Sequence, residues 1–240
     1  MNTKIVGILV LIVALAGGWY FFSSPDPKAP EGEVPATSIS GTSVVPVGTY
    51  TVEASQSTFT WSAKKPLIEG YIDSGTISVT TGAITVGTTT ANGSFTIDMN
   101  TLRVGLTAKK PGKEGALEKH LKSDDFFDVA KYPTATFLIK QVGETASSST
   151  EFIYTIRGDL TMKGKTNEIS FPAEIYFKDG MLHAKASFEI DRTKWGLTYG
   201  SGNFFQNLGD KMIDDMVALS FHVLATPLEA ATNGATDVFF

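Results

Sequence analysis

The chain has no cysteine and only three histidines among its 240 residues. The lack of cysteine excludes disulfides, a thiol nucleophile and a lipid anchor attached through sulfur. No H-x-x-x-H, H-E-x-x-H or G-x-S-x-G pattern occurs, so the familiar signatures of hydrolases and metalloenzymes are missing. The net charge of −5, without a basic cluster, argues against nucleic acid as a partner. We therefore expect a protein that is not an enzyme.

The N-terminus carries a long uncharged run. Residues 5–22 read IVGILVLIVALAGGWYFF and follow Lys4, with Trp19 and Tyr20 near the end of the run. The length is at the lower end of what spans a bilayer core of roughly 30 Å. Because flanking positive charge stays inside, residues 1–22 are predicted to form a single-pass signal anchor with a cytoplasmic N-terminus. The rest of the chain would then lie outside the cytoplasmic membrane, in a periplasm or on the cell surface.

A competing interpretation treats the same run as a cleaved signal peptide. Ala14-Leu15-Ala16 offers a signal-peptidase site, and cleavage after Ala16 would make the protein secreted. The apolar run continues past this site, which favours the uncleaved anchor.

The remainder divides into three parts by composition. Residues 23–47 are rich in Pro, Ser and Gly and are predicted to be a flexible linker, because they cannot bury enough apolar surface to offset their ordering entropy. Residues 48–226 alternate apolar and polar side chains, which is typical of antiparallel strands with one buried face. Residues 227–240 read as a C-terminal tail. The strand-like runs fall at 49–54, 57–64, 74–86, 90–100, 134–143, 151–163, 167–178, 181–190 and 215–226.

One segment interrupts the strand pattern. Residues 114–121 have helix-forming composition, and Ser123-Asp124-Asp125 supplies side-chain acceptors able to cap another short turn. Phe126 and Phe127 follow, and one or both should plug an apolar interior, since burying a Phe is worth roughly 1.5–3 kcal/mol. The segment is therefore predicted to be a short helical lid on a β structure. A long aromatic loop at 193–214, with a short helix near 208–214, is predicted further on.

Three ordered blocks carry a family resemblance. They are KHLKSDDFFDVAKYPTATF at 119–137, GDLTMKGKT at 158–166 and FEIDRTKWG at 188–196. Together they resemble the YceI family of lipocalin-like polyisoprenoid-binding proteins over about residues 48–226. The resemblance implies an all-β fold, a lipocalin-like antiparallel eight-stranded β-barrel, whose tunnel holds an isoprenoid-type lipid. It is also compatible with a homodimer, for which the residues themselves give no sign.

Inward-facing apolar side chains are the candidate ligand-binding residues. An eight-stranded barrel is just wide enough to fill with side chains or to hold one slender ligand, and alternation alone leaves both alternatives open. The resemblance favours the tunnel. The predicted tunnel-lining and lid residues are Phe59, Trp61, Phe95, Ile97, Phe126, Phe127, Phe137, Phe188, Trp195, Leu219 and Phe221.

Polar residues near the mouth are candidates for a lipid head group. Arg192 and Lys194 could grip a phosphate, although Asp191-Arg192 reads equally well as a structural pair. Lys163 and Lys165 are read as solvated turn residues. A metal site at His120 with Asp124, Asp125 and Asp128 is disfavoured, because helix capping accounts for these residue types.

The chain departs from the resemblance at two positions. Gln56 and Lys65 stand where many members carry histidines, so a head-group role for those imidazoles does not transfer. The chain instead resembles a branch with a Y-G-S-G-x-F-F loop, present here at Tyr199–Phe205. The leading hypothesis is a tethered lipid carrier or store. The rival hypothesis is a ligand-free interaction module whose Tyr199–Phe205 loop docks a membrane-protein partner.

Overall fold

The computed structural model describes residues 45–148 and 151–228. The predicted anchor at 1–22, most of the linker and the tail beyond residue 228 lie outside the described residues. Within the described ranges, no helix combines the length and apolar character that a membrane crossing requires.

Within residues 45–148 and 151–228, nine strands and one α-helix follow the predicted order closely. The helix α1 (Glu114–Lys122) lies between the fourth and fifth strands. The predicted helix near 208–214 is a single 3-10 turn, Gly209–Lys211, and another 3-10 turn spans Arg192–Trp195. The strands are β1 (Gly48–Val52), β2 (Thr58–Lys64), β3 (Ile72–Val86), β4 (Ala91–Thr107), β5 (Thr134–Ser148), β6 (Glu151–Met162), β7 (Lys165–Lys178), β8 (Met181–Asp191) and β9 (Met216–Pro227).

These nine strands close an antiparallel barrel with eight positions. The ring runs β3-β2-β9-β8-β7-β6-β5-β4 and returns to β3 through the β3–β4 pairing. Both β1 and β2 lie between β3 and β9: β1 pairs with Ala83–Val86 of β3, and β2 pairs with Ile72–Thr76. The two strands therefore share one ring position, interrupted by a turn at 53–57. This reconciles nine strand-like runs with an eight-stranded barrel.

Strand β3 bends without breaking. Register shifts against β4 lie between Ser74 and Thr81, and pairing continues regularly through Gly82. Such bulges increase local twist and help a sheet to close. Gly82 has a different role, because a Cβ there would lie 2.9 Å from the ring of Phe95.

The two ends of the barrel are built differently. At one end, which we call the lid end, three connections are long: residues 65–71, 108–133 and 192–215. The two-residue turn Lys163-Gly164 between β6 and β7 lies at the same end, since Lys163 contacts Asp124 and Phe126 of the second long connection. At the other, which we call the hairpin end, β3 and β4 are joined by residues 87–90, and β7 and β8 by Asp179-Gly180. Both turn residues have positive φ, as a two-residue hairpin requires.

Apolar packing forms a shell and not one solid core. One cluster lies toward the lid end around Met99, Leu160 and Trp195, and another toward the hairpin end around Tyr50 and Leu182. A third cluster lies on one wall between them and includes Ile139, Phe171 and Ala173. The shell encloses the space described next.

Candidate functional site

A cavity of about 1230 Å³ runs along the barrel interior. Typical small-molecule pockets measure roughly 300–1,000 Å³, so the interior is not filled by side chains. Its lining extends from Tyr199 and Lys211 at the lid end to Val86 and Thr89 at the hairpin end. The cavity is therefore a tube suited to a long, slender guest.

A chain of aromatic rings passes round the tube. Six strands, taken in their order around the barrel, each contribute one phenyl ring: β2, β9, β8, β7, β5 and β4. The centroids of neighbouring phenyl rings lie 4.1–6.4 Å apart. Gly158 on β6 and Gly82 on β3 leave room for these rings, since a Cβ at either position would lie under 3.0 Å from Phe137 or Phe95. We call this set the aromatic belt: Phe59, Phe221, Phe188, Phe171, Phe137 and Phe95.

Most of the predicted tunnel residues line the cavity. Ten of the eleven do so: Phe59, Trp61, Phe95, Ile97, Phe126, Phe127, Phe137, Phe188, Leu219 and Phe221. Alternation placed the strand residues correctly on the inner face. Their contact with a ligand stays a prediction.

Trp195 is placed elsewhere. Its side chain is 1% exposed, packs in the cluster that includes Met99 and Leu160, and donates from Nε1 to the Leu160 carbonyl at 2.9 Å. It does not lie among the residues that line the cavity. The 3-10 turn at Arg192–Trp195 explains the difference, because the strand ends at Asp191 and inward alternation no longer applies.

The lid helix presents one face to the cavity. Lys113, Ala116, Leu117, His120 and Leu121 line it, with the spacing of a single helical stripe. No residue of α1 is fully buried. The helix therefore covers a void and does not pack into a solid core.

The loop after α1 is fastened to the barrel by Lys163. Its Nζ donates to the carbonyls of Asp124, at 3.2 Å, and Phe126. Phe126 is buried and Phe127 partly so, and both face the cavity. Lys163 is thus not a free solvated turn residue, whereas Lys165 is exposed in the same hairpin.

Charged lining residues are confined to the lid end. Lys64 ends β2 and Lys65 follows it, Lys110 and Lys113 precede α1, and Lys211 lies in the long loop before β9. We call these five the lysine ring. Asp73 is the one carboxylate among the described lining residues. The tube is therefore cationic at one mouth and uncharged along the rest of its lining.

Asp73 and the residues around it alter each other's pKa values. Burial raises the pKa of the Asp73 carboxyl, while a hydrogen bond from Tyr71 and the charges of Lys65 and Lys110 oppose that rise. Burial and the nearby Lys110 lower the pKa of Lys65, against the attraction of Asp73 and Asp210. The mouth therefore holds charges that are only partly solvated.

Two polar atoms in the lining residues lack partners within the described chain. They are the indole N–H of Trp61 and Oδ1 of Asp73. The residues lie on adjacent strands, since Trp61 pairs with Gly75 and Ala63 with Asp73. One is a hydrogen-bond donor and the other an acceptor. Together they form a small polar patch in the apolar wall, just inside the lysine ring.

Arg192 is not available to a head group. Its guanidinium is 3% exposed and donates to the carbonyls of Leu197, Tyr199, Ile213 and Asp214. A fifth bond joins Nη2 to Oδ1 of Asp215 at 3.1 Å. All five guanidinium donors are thus used internally. Arg192 is a structural residue, and its ion-pair partner is Asp215 and not Asp191.

Arg192 does line the cavity, whereas the other head-group candidate, Lys194, lies off it. Lys194 is exposed beside the β7 terminus, where its carbonyl accepts a bond from Asn167 at 3.2 Å. It is not among the lining residues. Asp191 instead caps the 3-10 turn, accepting from the backbone and hydroxyl of Thr193 at 2.9 and 2.6 Å.

The acidic residues after α1 do not assemble a metal site. His120 contacts Asp125 at 3.2 Å and stacks edge-on against Phe126 and Tyr199. Across residues 45–148 and 151–228, no three metal-binding side chains come together. The expected side-chain cap is also different: the Ser123 hydroxyl donates to the His120 carbonyl at the end of the helix.

Sequence reasoning missed two parts of the site. Phe171 belongs to the aromatic belt, and the alternation of Ile169, Phe171, Ala173 and Ile175 along β7 was a signal that could have found it. The lysine ring was missed because its members come from the end of β2 and from three separate connections. No spacing along the chain brings them together.

Comparison with known proteins places these features in a family. The model of the YceI-like domain family matches residues 50–225, well over half of the chain. A UPF0312 protein of Photorhabdus laumondii is 32% identical over 128 residues, which cover 50% of this chain and 62% of that protein. A UPF0312 protein of Vibrio cholerae is 40% identical over 57 residues, covering 24% and 28%. The chain therefore aligns with less than two thirds of the length of these curated relatives.

Two solved structures share the fold. Burkholderia cenocepacia BcnA is similar with a TM-score of 0.57 and 19% identity, covering 73% of this chain and 99% of that chain. A polyisoprenoid binding domain from Saccharophagus degradans, implicated in plant cell wall breakdown, has a TM-score of 0.56 and 14% identity, covering 76% and 100%. Because nearly all of each solved chain is matched, the barrel exists in those proteins as a complete folded unit.

Proposed function

The chain belongs to the YceI family, and we propose that it binds an isoprenoid-type amphiphilic lipid inside its barrel without chemical conversion. The apolar tail would lie along the tube, and the polar head would lie at the lid end. The observation that carries this proposal is the 1230 Å³ cavity, whose charged lining residues all lie at one end.

The energetics favour a chain-like guest. Removing a methylene from water is worth about 0.8 kcal/mol, so a long tail gains much from a tube of this length. The aromatic belt offers contact around much of the circumference. The fold shared with the Saccharophagus polyisoprenoid binding domain supports an isoprenoid tail over a compact apolar guest.

The head group is proposed to meet the lysine ring. Lys65 and Lys110 line the cavity together with Asp73, and Nζ of Lys65 lies 5.0 Å from the centre of the Tyr71 ring. Ammonium groups pair well with phosphate-type oxyanions. An anionic head is therefore favoured, and Lys65 and Lys110 replace Arg192 and Lys194 as its proposed contacts.

The cellular setting is a further part of the proposal. Residues 1–22 have the length and flanking charge of a signal anchor, which would tether the barrel outside the cytoplasmic membrane as a carrier or store. Homodimerisation is compatible with this arrangement and stays a prediction. Protease protection in intact cells would test the topology, since the barrel should be cut only when protease reaches the outer side of the membrane.

The decisive experiment is native mass spectrometry of residues 42–240, the compact unit that contains the barrel. We expect one added mass per barrel that is removed by organic extraction and behaves as a prenyl lipid. A barrel that emerges empty and takes up no added prenyl phosphate would contradict the proposal.

Three tryptophan variants localise the ligand. Ala184→Trp fills the tube toward the hairpin end and should select shorter tails, whereas Ala63→Trp fills it beside Asp73 and should lower occupancy for all tails. Ala218→Trp lies on β9 between the lining residues Val217 and Leu219, faces outward, and should leave occupancy unchanged. Equal loss in all three variants would point to misfolding and not to a tube.

The rival hypothesis of a ligand-free module required a filled barrel, which the cavity does not support. The Tyr199–Phe205 loop, which that hypothesis proposed as the docking element, is still a candidate interaction surface, because Tyr199, Phe204 and Phe205 are all substantially exposed.

A further inference from the structure

We propose that the lid end is a docking surface for a lipid bilayer that contains anionic head groups. The proposal goes beyond binding inside the cavity, since it concerns the outer surface around one mouth. It rests on exposed apolar side chains, on the framework that holds them outward, and on the lysines beside them.

Exposed apolar side chains gather at this end. Ten large hydrophobic residues of the described chain are exposed, and seven of them lie on or beside the lid-end connections. All three aromatic residues of that set lie within residues 199–205, which we call the aromatic loop. Clustering of this kind usually marks an interaction surface. The seven are Leu67, Ile72, Leu106, Tyr199, Phe204, Phe205 and Met216.

The aromatic loop is held outward by buried polar contacts. Arg192 binds the carbonyls of Leu197 and Tyr199 at the start of the loop. Asp215, which pairs with Arg192, accepts hydrogen bonds from the Ser201 hydroxyl at 2.8 Å and the Asn203 amide at 2.7 Å. Ser201 is fully buried, and its carbonyl accepts from the amides of Phe204 and Phe205.

This framework has an energetic consequence. Phe204 and Phe205 are 57% and 50% exposed, although a flexible loop would be free to fold them away from water. Because the loop is already ordered, inserting its rings into another apolar phase costs little further conformational entropy. The buried charge of Arg192 thus serves to present two phenyl rings.

The charges beside the aromatic loop favour a bilayer. Within the described chain, no ion pair involves Lys110, Lys113 or Lys211, and all three are exposed at the mouth. Exposed carboxylates also lie on the lid-end connections, namely Glu69, Asp124, Asp125 and Asp210. The excess of cations is therefore confined to the mouth itself, where Asp73 is the one carboxylate among the described lining residues. Lysines around exposed phenyl rings match an anionic interface, where rings insert and ammonium groups meet phosphates.

The position also suits the exchange of an apolar guest. A lipid tail that leaves a bilayer directly into the tube never has to cross water. A mouth pressed onto the membrane provides that route. Among its described residues, the hairpin end has the exposed Lys178 but no exposed aromatic side chain and no charged cavity lining.

Vesicle sedimentation tests the surface directly. Residues 42–240 should be used, because residues 5–22 would bind vesicles by themselves; the solved relatives show that this barrel folds as a unit. We expect binding to phosphatidylcholine vesicles that contain one third phosphatidylglycerol, and clearly weaker binding to phosphatidylcholine alone. The double change Phe204→Ser and Phe205→Ser should weaken binding about tenfold. Lys211→Ser should weaken it about fivefold.

Matched controls lie on other parts of the surface. Leu138 is 52% exposed on the barrel wall, and Leu138→Ser should bind vesicles like the unchanged protein. Lys178→Ser, at the hairpin end, should also have no effect. If the aromatic-loop variant binds like its Leu138→Ser control, the docking surface is assigned wrongly.

A protein partner is the alternative outcome. If the barrel ignores vesicles of both compositions, while a photo-cross-linker at position 204 of the full-length protein joins one membrane protein stoichiometrically, the bilayer proposal is overturned. Native mass spectrometry of the same variants separates this result from the proposed function. Loss of vesicle binding with the cavity lipid retained affects only the docking surface.

Discussion

The two ends of the barrel share the same strands and differ in almost everything else. The lid end has long connections, a lysine-rich mouth, a helix over the opening and exposed aromatic side chains. The hairpin end has a four-residue turn, Gly87–Thr90, and the two-residue turn Asp179-Gly180, and its described lining residues carry no charge.

The difference shows that the wall and the polarity of the tube have separate origins. Alternation along the strands makes the wall apolar from one end to the other. Polarity enters on one side only, through the long connections and through Lys64 and Asp73 at the adjacent strand ends. In many proteins a rigid scaffold holds loops that carry the binding residues. Here this arrangement gives a uniformly apolar tube one charged end and one uncharged end.

The largest expected effect comes from breaking the framework of the lid end. Arg192→Met removes five donors and leaves Oδ1 of Asp215 and four carbonyls without the Arg192 hydrogen bond in a buried setting, although Oδ2 of Asp215 keeps its bonds from Ser201 and Asn203. Removing one partner of a buried pair typically costs about 3–5 kcal/mol. We expect a loss of that size in the free energy of unfolding, measured by urea denaturation.

An exposed arginine at the same end provides the control. Arg103 pairs with Glu118 at 3.1 Å, and its side chain is 59% exposed. Surface pairs are worth about 0–1 kcal/mol, so Arg103→Met should change stability little. Equal losses in the two variants would mean that the Arg192 network does not carry the stability of this end.

Sequence reasoning succeeded where one rule decides the outcome. Period-two alternation places Phe59, Phe95 and Phe221 on the inner face, because a strand has only two faces. The same reasoning failed for Trp195, which follows the end of β8 and lies in a 3-10 turn. Beyond the end of a strand, the periodicity no longer says where a side chain points.

The mouth could not be predicted for a different reason. Lys65, Asp73 and Lys110 come from separate parts of the chain and meet only after the barrel has closed. Arg192 was visible in the sequence, but a charged side chain in a loop reads the same whether it binds a ligand or four carbonyls. The two roles are distinguished by the hydrogen-bond acceptors that the guanidinium contacts, and these depend on the fold of residues 197–215.

A smaller effect is expected from releasing the lid. Lys163→Met removes the ammonium group that binds the carbonyls of Asp124 and Phe126. Hydrogen bonds to charged groups contribute about 1.5–3 kcal/mol, part of which water would replace at this partly exposed site. We expect faster amide hydrogen exchange in residues 123–131 and faster exchange of bound lipid, with little change elsewhere.

Lys165→Met is the matched change in the same hairpin. Its side chain is exposed, and we expect hydrogen exchange in residues 123–131 to match that of the unchanged protein. Should both variants accelerate exchange equally, the hairpin as a whole, and not the Lys163 contact, would be holding the lid.

The smallest effect is expected from replacing Asp73, the carboxylate at the mouth. The raised pKa of Asp73 determines whether the replacement stabilises or destabilises the folded protein. Burial raises the pKa of Asp73 above its ordinary value of 3.8, so the folded protein holds the proton more tightly than the unfolded chain. The stability that this preference contributes is fully present below the unfolded pKa and is lost as the pH rises through the folded pKa. Asp73→Asn should therefore raise the urea midpoint at pH 7, and this advantage should shrink as the pH falls toward 4.

The same substitution also tests whether the anionic head group of the lipid lies at the lid end. Without Asp73 the lysine ring is unopposed among the lining residues, so a prenyl phosphate should bind a few-fold more tightly at pH 7. In the unchanged protein, affinity for that ligand should rise as the pH falls and Asp73 takes up its proton, provided the ligand keeps its charge; in the Asn variant this rise should disappear. Weaker binding to the Asn variant at pH 7 would instead show that the carboxylate accepts a hydrogen bond from the head group. The head would then still lie at the lid end, but Asp73 and not the lysine ring would be its main contact.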